Sequence, residues 1–218
     1  GLAPASSVVG ARLPGGAALA AGAWAIQPAN GSLTVQAVPS PLQCPAQNYD
    51  ACFSRAVEIT TPCHRRLLVS ATAGLDPNGR TSAVGDIQGQ VDLALRAIAA
   101  ILASRRLSLF DVTRATAYFK RAADMRVFTD WCVAHDALFL PALMIQSELC
   151  RKDLLFEIEL DAIAPTARHS HGTPPAGGPA PADDKRAGVP APGKKRACKG
   201  GPGTPRRPAA RVADGGRR

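Results

Sequence analysis

The stretch LLFEIELDAIA, residues 154–164, alternates apolar and acidic side chains with a period of two residues. Because successive side chains of a β-strand point to opposite faces of a sheet, this pattern predicts a strand with one apolar and one acidic face. An acidic face is typical of a strand that faces water. The alternative is the wall of an active-site cleft, and the remaining sequence has to decide between the two. The apolar face would carry Phe156, Ile158, Leu160 and Ala162, and the acidic face would carry Glu157, Glu159 and Asp161.

Four more strand patterns and two helix patterns precede this stretch. The clearer helix begins after Asp86, a suitable N-cap, and presents one apolar stripe. The weaker helix pattern covers residues 122–139. The order β-β-α-β-α-β-β predicts an α/β (α+β) domain, with a mixed sheet and both helices packed on one face. The earlier strand patterns are CFSRAVEIT, RRLLVSATAGL, DVTRATAYFK and PALMIQSEL.

The positive charge of the chain is confined to its C-terminal part. The formal charge is +9, and residues 165–218 hold 12 Lys and Arg against 3 Asp and Glu, whereas residues 1–164 hold 14 of each. These last residues are rich in Pro, Gly, Ala and Arg and have no aromatic side chain, so we expect a disordered tail. Without aromatic residues between the basic clusters there is no stacking platform, and we do not expect nucleic-acid binding.

The six cysteines form no CxxC pair and no zinc-type spacing with histidine. We therefore expect reduced thiols, a cytoplasmic location, and neither a metal nor a cofactor. No signal peptide is visible, and the apolar stretches look too short to span a membrane, so we expect no membrane contact.

The run from Phe53 to Ala164 resembles the RidA/YjgF family, also described as endoribonuclease L-PSP-like. The resemblance rests on RLLVSATAGLDPNGRT, VGDIQGQVDLALRAIAAIL, DVTRATAYFK and LLFEIELDAIA, which follow the order and spacing of the family. It implies a chorismate-mutase-like RidA fold, and trimers that enclose ligand clefts walled partly by the last strand. The best-known members hydrolyse enamines and imines. Their carboxylate-binding arginine falls at Leu143 here, while their serine and their acid fall at Ser70 and Asp161.

One branch of the family fits better, because FSRAVEI and LCRKDLLFEIE resemble the C-terminal domain of the chorismatases, formerly called pteridine-dependent deoxygenase-like proteins. These proteins fuse two RidA-like domains and act on chorismate. The resemblance assigns the proton donor to Glu157 and, from a subset that makes 3-hydroxybenzoate, a second catalytic residue to Cys150. We expect Arg151 to favour the Cys150 thiolate or to hold a substrate carboxylate. We also expect Glu159 to raise the pKa of Glu157 by like-charge repulsion.

The resemblance implies three domains or segments. Residues 1–42 would be a β-rich remnant of a preceding RidA-like domain plus a linker, with strands at SVVGAR, AALAAGAWAIQ and SLTVQ. Residues 43–164 would be a RidA-like domain, and residues 165–218 the basic tail. Since the first residue is Gly and not Met, we expect part of a larger protein upstream.

Three functions from different classes remain open. The first is a chorismatase-like enzyme that converts chorismate to a hydroxybenzoate or a dihydroxycyclohexadienoate plus pyruvate. The others are a RidA-type enamine or imine deaminase and a non-catalytic ligand-binding or interaction module. We expect a small carboxylate substrate, and either a homo-oligomer such as a trimer or paired RidA-like domains. The predicted catalytic residues are Glu157 and Cys150, and the predicted substrate-binding residues are Arg151, Ser70, Tyr118 and Asp161.

Overall fold

A mixed sheet of six strands with two helices forms the fold in a computed structural model, which describes residues 1–28 and 31–166. In chain order the strands and helices are β1 (Thr34–Val38), β2 (Ala56–Thr60), β3 (His64–Ala73), α1 (Ile87–Ser104), β4 (Val112–Phe119), α2 (Met125–Ala134), β5 (Ala142–Gln146) and β6 (Phe156–Pro165). From β2 onward the strands and helices follow the predicted order β-β-α-β-α-β-β, and β1 precedes them. The predicted α+β class is therefore confirmed.

The strands lie in the order β1-β2-β3-β6-β4-β5, so the last strand of the chain is central in the sheet. The pair β4–β5 is parallel, with α2 as its crossover connection, and the other pairs are antiparallel. Parallel neighbours need such a crossover, whereas antiparallel neighbours do not. A register shift in the β3–β6 pair, between Val69 and Thr72, changes which side chains of β3 share a face.

Both helices pack on one face of the sheet, as predicted. Asp86 caps α1 by accepting a hydrogen bond from the Gly89 backbone N–H at 3.1 Å. The apolar stripe of α1, including Ile98 and Leu102, is fully buried against the sheet. Burying one such aliphatic side chain contributes about 1.5–3 kcal/mol. The same core takes up the apolar face of β6, namely Phe156, Ile158, Leu160 and Ala162.

The length and composition of α1 would allow it to cross a membrane. This corrects the expectation that no apolar stretch is long enough. In the described structure, however, the apolar side of α1 packs against the sheet and α2, which is typical of a core helix.

The predicted strands in the first 36 residues are largely wrong. Only the last of them, SLTVQ, overlaps a strand, because β1 pairs with β2 at the edge of the sheet. The segments SVVGAR and AALAAGAWAIQ form no strand, and the N-terminal segment instead shows one isolated bridge, between Gly10 and Glu148, and a single 3-10 turn at Pro14–Gly16. The basic tail that we expect to be disordered lies, from residue 167 onward, outside the described residues.

Residues 3–10, here called the strap, lie against the sheet face opposite the helices. Their backbone contacts hydroxyl groups and single peptide groups rather than a regular ladder, which is why no strand forms there. The strap thereby covers part of a face whose strands would otherwise be open to solvent. Its hydrogen bonds include Ser54 N to Pro4 O (2.8 Å), Ser6 N to Ser70 Oγ (2.9 Å), Ala71 N to Ser7 Oγ (3.1 Å) and Gly10 N to Glu148 O (2.7 Å).

Candidate active site

Two cavities of about 500 and 510 Å³ lie on the sheet face opposite the helices. The strap contributes to the walls of both, and Ser6 is common to them. The first cavity contains Glu157, and the second contains Glu159 and Asp161. The three acids predicted to share one face therefore do share it, but they belong to different cavities.

Glu157 is the acid of the first cavity, and only 4% of the residue is exposed. Its Oε1 accepts a hydrogen bond from the Cys150 thiol at 3.2 Å. Burial raises the pKa of the Glu157 carboxyl, while the Cys150 hydrogen bond and the charge of Arg151 lower it in part. The expected repulsion by Glu159 is not the cause, because Glu159 pairs with Arg114 at 3.1 Å in the second cavity. A buried carboxyl group with a raised pKa suits general acid catalysis.

Cys150 lies beside Glu157, but its charge state differs from the expectation. Burial of the thiol, and next the neighbouring Glu157 carboxylate, raise the pKa of Cys150 to about 11. The charge of Arg151, whose Nη1 donates a hydrogen bond to the Gly79 carbonyl at 2.7 Å, lowers the pKa of Cys150 by less than these causes raise it. The predicted thiolate is therefore wrong, and Cys150 acts as a hydrogen-bond donor that leaves Oε2 of Glu157 free to carry a proton.

Tyr49 lies between two guanidinium groups in the wall of the first cavity. The centre of its ring is 5.4 Å from the Arg55 guanidinium carbon and 5.0 Å from that of Arg151. Burial raises the pKa of the Tyr49 phenol, and the two arginines lower it in part. The ring fits because residue 79 is Gly: a Cβ there would lie 2.6 Å from the Tyr49 ring.

Arg55 is the residue of this cavity that the sequence analysis missed. It immediately precedes β2, only 4% of it is exposed, and its Nε donates to the Cys44 carbonyl at 3.0 Å. The signal in the sequence was a lone arginine at the start of the apolar run AVEIT. Charged residues are almost never fully buried unless they are paired, so such an arginine calls for a partner.

The second cavity holds the other three predicted site residues, which are Ser70, Tyr118 and Asp161. Asp161 accepts hydrogen bonds from Arg66 at 2.5 Å and from Arg114 at 3.2 Å. The Ser70 hydroxyl donates to the Ser54 carbonyl at 2.6 Å and accepts the strap contact from Ser6. Burial raises the pKa of Tyr118, and the charge of Glu159 adds to the effect. The structure therefore brings Glu157, Cys150 and Arg151 together and separates these other three residues from them.

Comparison with known proteins gives the same fold and family. The family model described as Endoribonuclease L-PSP matches residues 45–164, more than half of the chain. A curated chorismatase from Streptomyces hygroscopicus is 31% identical over 116 residues, which is 49% of this chain and 33% of that protein.

Among solved structures, a chorismatase crystallised at 1.08 Å resolution is 27% identical with a TM-score of 0.54, over 59% of this chain and 44% of that one. Yeast Mmf1 shares the fold with a TM-score of 0.51 at 18% identity, over 60% of this chain and 98% of its own. The chain thus spans between a third and a half of the chorismatases it matches. Sequence motifs, sheet topology and family model agree, and the chain belongs to the endoribonuclease L-PSP family, that is, the RidA/YjgF family, over residues 45–164.

Proposed function

We propose that this chain is a chorismatase-like enzyme in which Glu157 is the proton donor. The observation that carries the proposal is the Glu157 carboxyl: it is buried in a cavity wall, its pKa is raised, and a thiol donor occupies one of its oxygens. The similarity to the curated chorismatase and to the chorismatase crystal structure supports the choice of substrate.

The chemistry follows from the enol ether of chorismate. Glu157 transfers its proton from Oε2 to the methylene carbon of the enolpyruvyl group, whose double-bond electrons form the new C–H bond. Water then adds to the resulting oxocarbenium carbon, and the hemiketal collapses. Pyruvate leaves, and the ring oxygen stays on a dihydroxycyclohexadienoate. In the route to a hydroxybenzoate, the ring hydroxyl also leaves, as water. One water is then added and one is released, so that no net water is consumed.

Two neighbours of Glu157 have separate tasks in this proposal. Cys150 is a positioning residue that keeps the carboxyl oriented by donating to Oε1. Arg151 lines the same cavity and can bind a substrate carboxylate, since a guanidinium matches that group with parallel N–H donors.

The deaminase alternative is less well supported. The two residues that survive from that site, Ser70 and Asp161, already have partners within the chain. Leu143, at the position of the family's arginine, is 61% exposed on the edge strand β5 and offers no donor to a carboxylate. If neither chorismate nor an enamine or imine reacts, the third function, a non-catalytic binding module, applies.

The test is pyruvate release from chorismate by the 218-residue chain. We expect turnover in the wild type and a loss of at least about 100-fold in Glu157→Gln, because the general acid is removed. Asp153→Asn, a change of an exposed acid four residues away, should leave the rate unchanged.

Since Glu157 acts in its protonated form, kcat/KM should fall as pH rises through the pKa of Glu157. This fall should occur at a higher pH than for a free glutamate. Full activity of Glu157→Gln would disprove the mechanism.

We also propose that the chain assembles into a homo-oligomer or pairs with a second RidA-like domain. Strand β5 is an edge of the sheet, and three consecutive apolar side chains on it are more than a third exposed. An apolar edge strand of this kind needs a cover in solution. These residues are Leu143, Met144 and Ile145.

A further inference from the structure

Arg55 is a buried cation in the wall of the first cavity that lacks an acidic partner. Its Nη2 is buried and makes no hydrogen bond within the described part of the chain. None of the ion pairs among residues 1–28 and 31–166 includes it. Burying a charge is strongly unfavourable unless the charge is paired and hydrogen-bonded, so the site needs an anion that the protein itself does not supply.

The surroundings of Arg55 stabilise its charge and satisfy its Nε, which donates to the Cys44 carbonyl, but they leave Nη2 without a hydrogen bond. The rings of Tyr49 and Phe53 lie 5.4 and 5.6 Å from the guanidinium carbon. Their π-faces attract the cation, and the Tyr49 hydroxyl is a further polar neighbour of the guanidinium, but Nη2 keeps no hydrogen-bond partner. The guanidinium is thus held in place for an acceptor that enters the cavity.

A second cation increases the local positive charge. Arg151 also contacts the Tyr49 ring, so the guanidinium groups of Arg55 and Arg151 both pack against this ring. Glu157 is the acid that lines this cavity, and its burial disfavours the ionised form that could neutralise them. The rest of the wall is largely apolar, with Leu75 and Leu154 among its residues. This combination suits a ring compound that carries a carboxylate.

We propose that Arg55 binds the carboxylate of a cyclic or aromatic acid in the first cavity, with Arg151 as the second cation. The planar guanidinium fork of Arg55 provides the parallel donors that a carboxylate accepts. The inference deepens the proposed function, because it names a group that holds the substrate, but it can be tested without turnover.

The experiment measures binding of benzoate and of its neutral analogue benzamide by titration calorimetry. We expect the wild-type chain to bind benzoate and to bind benzamide at least about tenfold more weakly, since a charged hydrogen bond is lost. Arg55→Met should lower benzoate affinity by about 10- to 100-fold. Arg126→Met, which removes an exposed arginine of α2, is the matched control and should bind as the wild type does.

Arg55→Lys keeps the positive charge but loses the planar fork. This variant provides the same binding test if Arg55→Met does not fold. We expect it to bind benzoate more weakly than the wild type by several-fold. Unchanged benzoate affinity in either Arg55 variant, or equal binding of benzoate and benzamide by the wild type, would overturn the inference. Arg55-dependent benzoate binding without chorismate turnover would refute the proposed function alone. Turnover without Arg55-dependent binding would refute this inference alone.

Discussion

Asp161→Asn should destabilise the protein, although Asp161 lies on the same acidic face as the proposed proton donor. The Asp161 carboxylate is 95% buried and accepts hydrogen bonds from the guanidinium groups of Arg66 and Arg114. An asparagine can keep one acceptor, but its amide N–H group would then face a guanidinium donor. The change therefore loses at least one charged hydrogen bond and leaves a poor contact in place of the other.

The magnitude follows from those two contacts. A hydrogen bond to a charged group is worth about 1.5–3 kcal/mol, and the partial exposure of both arginines favours the low end for each. We expect a loss of about 2–3 kcal/mol in the free energy of unfolding. At about 2–4 °C per kcal/mol for a domain of this size, the midpoint should fall by roughly 5–10 °C. Thermal unfolding at pH 7, followed by circular dichroism, gives the midpoint temperature, and urea denaturation gives the free energy of unfolding and its slope.

Glu157→Gln is the matched comparison and should behave in the opposite way. Because the folded-state pKa of Glu157 is raised, the folded protein holds this proton more tightly than the unfolded chain does. The contribution of Glu157 to stability is thus fully present below the unfolded pKa, and it is lost as pH rises through the folded pKa. At pH 8 the glutamine variant should be as stable as the wild type or more stable. If Glu157→Gln proved the more damaging of the two to folding, the structural assignment of both acids would be wrong.

Two further predictions concern the strap and the assembly. Gly10→Ala would place a Cβ 2.7 Å from Cβ of Glu148, so we expect faster hydrogen exchange at the Ala71 amide, whereas Gly22→Ala, with open space around it, should change nothing. Unchanged exchange in Gly10→Ala would show that the strap tolerates this clash. Light scattering should give a mass above that of one 22.6 kDa chain, and Leu143→Lys should lower that mass; a monomeric wild type would contradict the proposed assembly.

The order of elements could be predicted because each element carries its own local pattern. The apolar stripe after Asp86 and the alternation in β6 depend only on helix and strand geometry. The strap could not be predicted, because its partners are 50 to 138 residues away and are hydroxyl and peptide groups found throughout the chain. The glycine-rich segments before β1 resemble strands in composition, but a strand also needs a neighbour with a free edge.

The site shows the same division between local and distant information. The alternation correctly placed Glu157 on the face opposite the core, but it could not show that Asp161 would be neutralised by two arginines from other strands. The expectation of a Cys150 thiolate was wrong, because burial and Glu157, which the sequence could not place beside it, raise the thiol pKa more than Arg151 lowers it. Arg55 was within reach of sequence reasoning, since a charge beside a buried strand always raises the question of its partner.

The strap also has a consequence for folding during synthesis. Its contact between Gly10 and Ser147 closes a loop of 137 residues, so the segment leaves the ribosome long before its docking partners exist. At roughly 5–20 residues per second, that delay is about seven to thirty seconds. The strap is thus made first, but the first cavity that it helps to wall can be completed only after Glu157 has been synthesised.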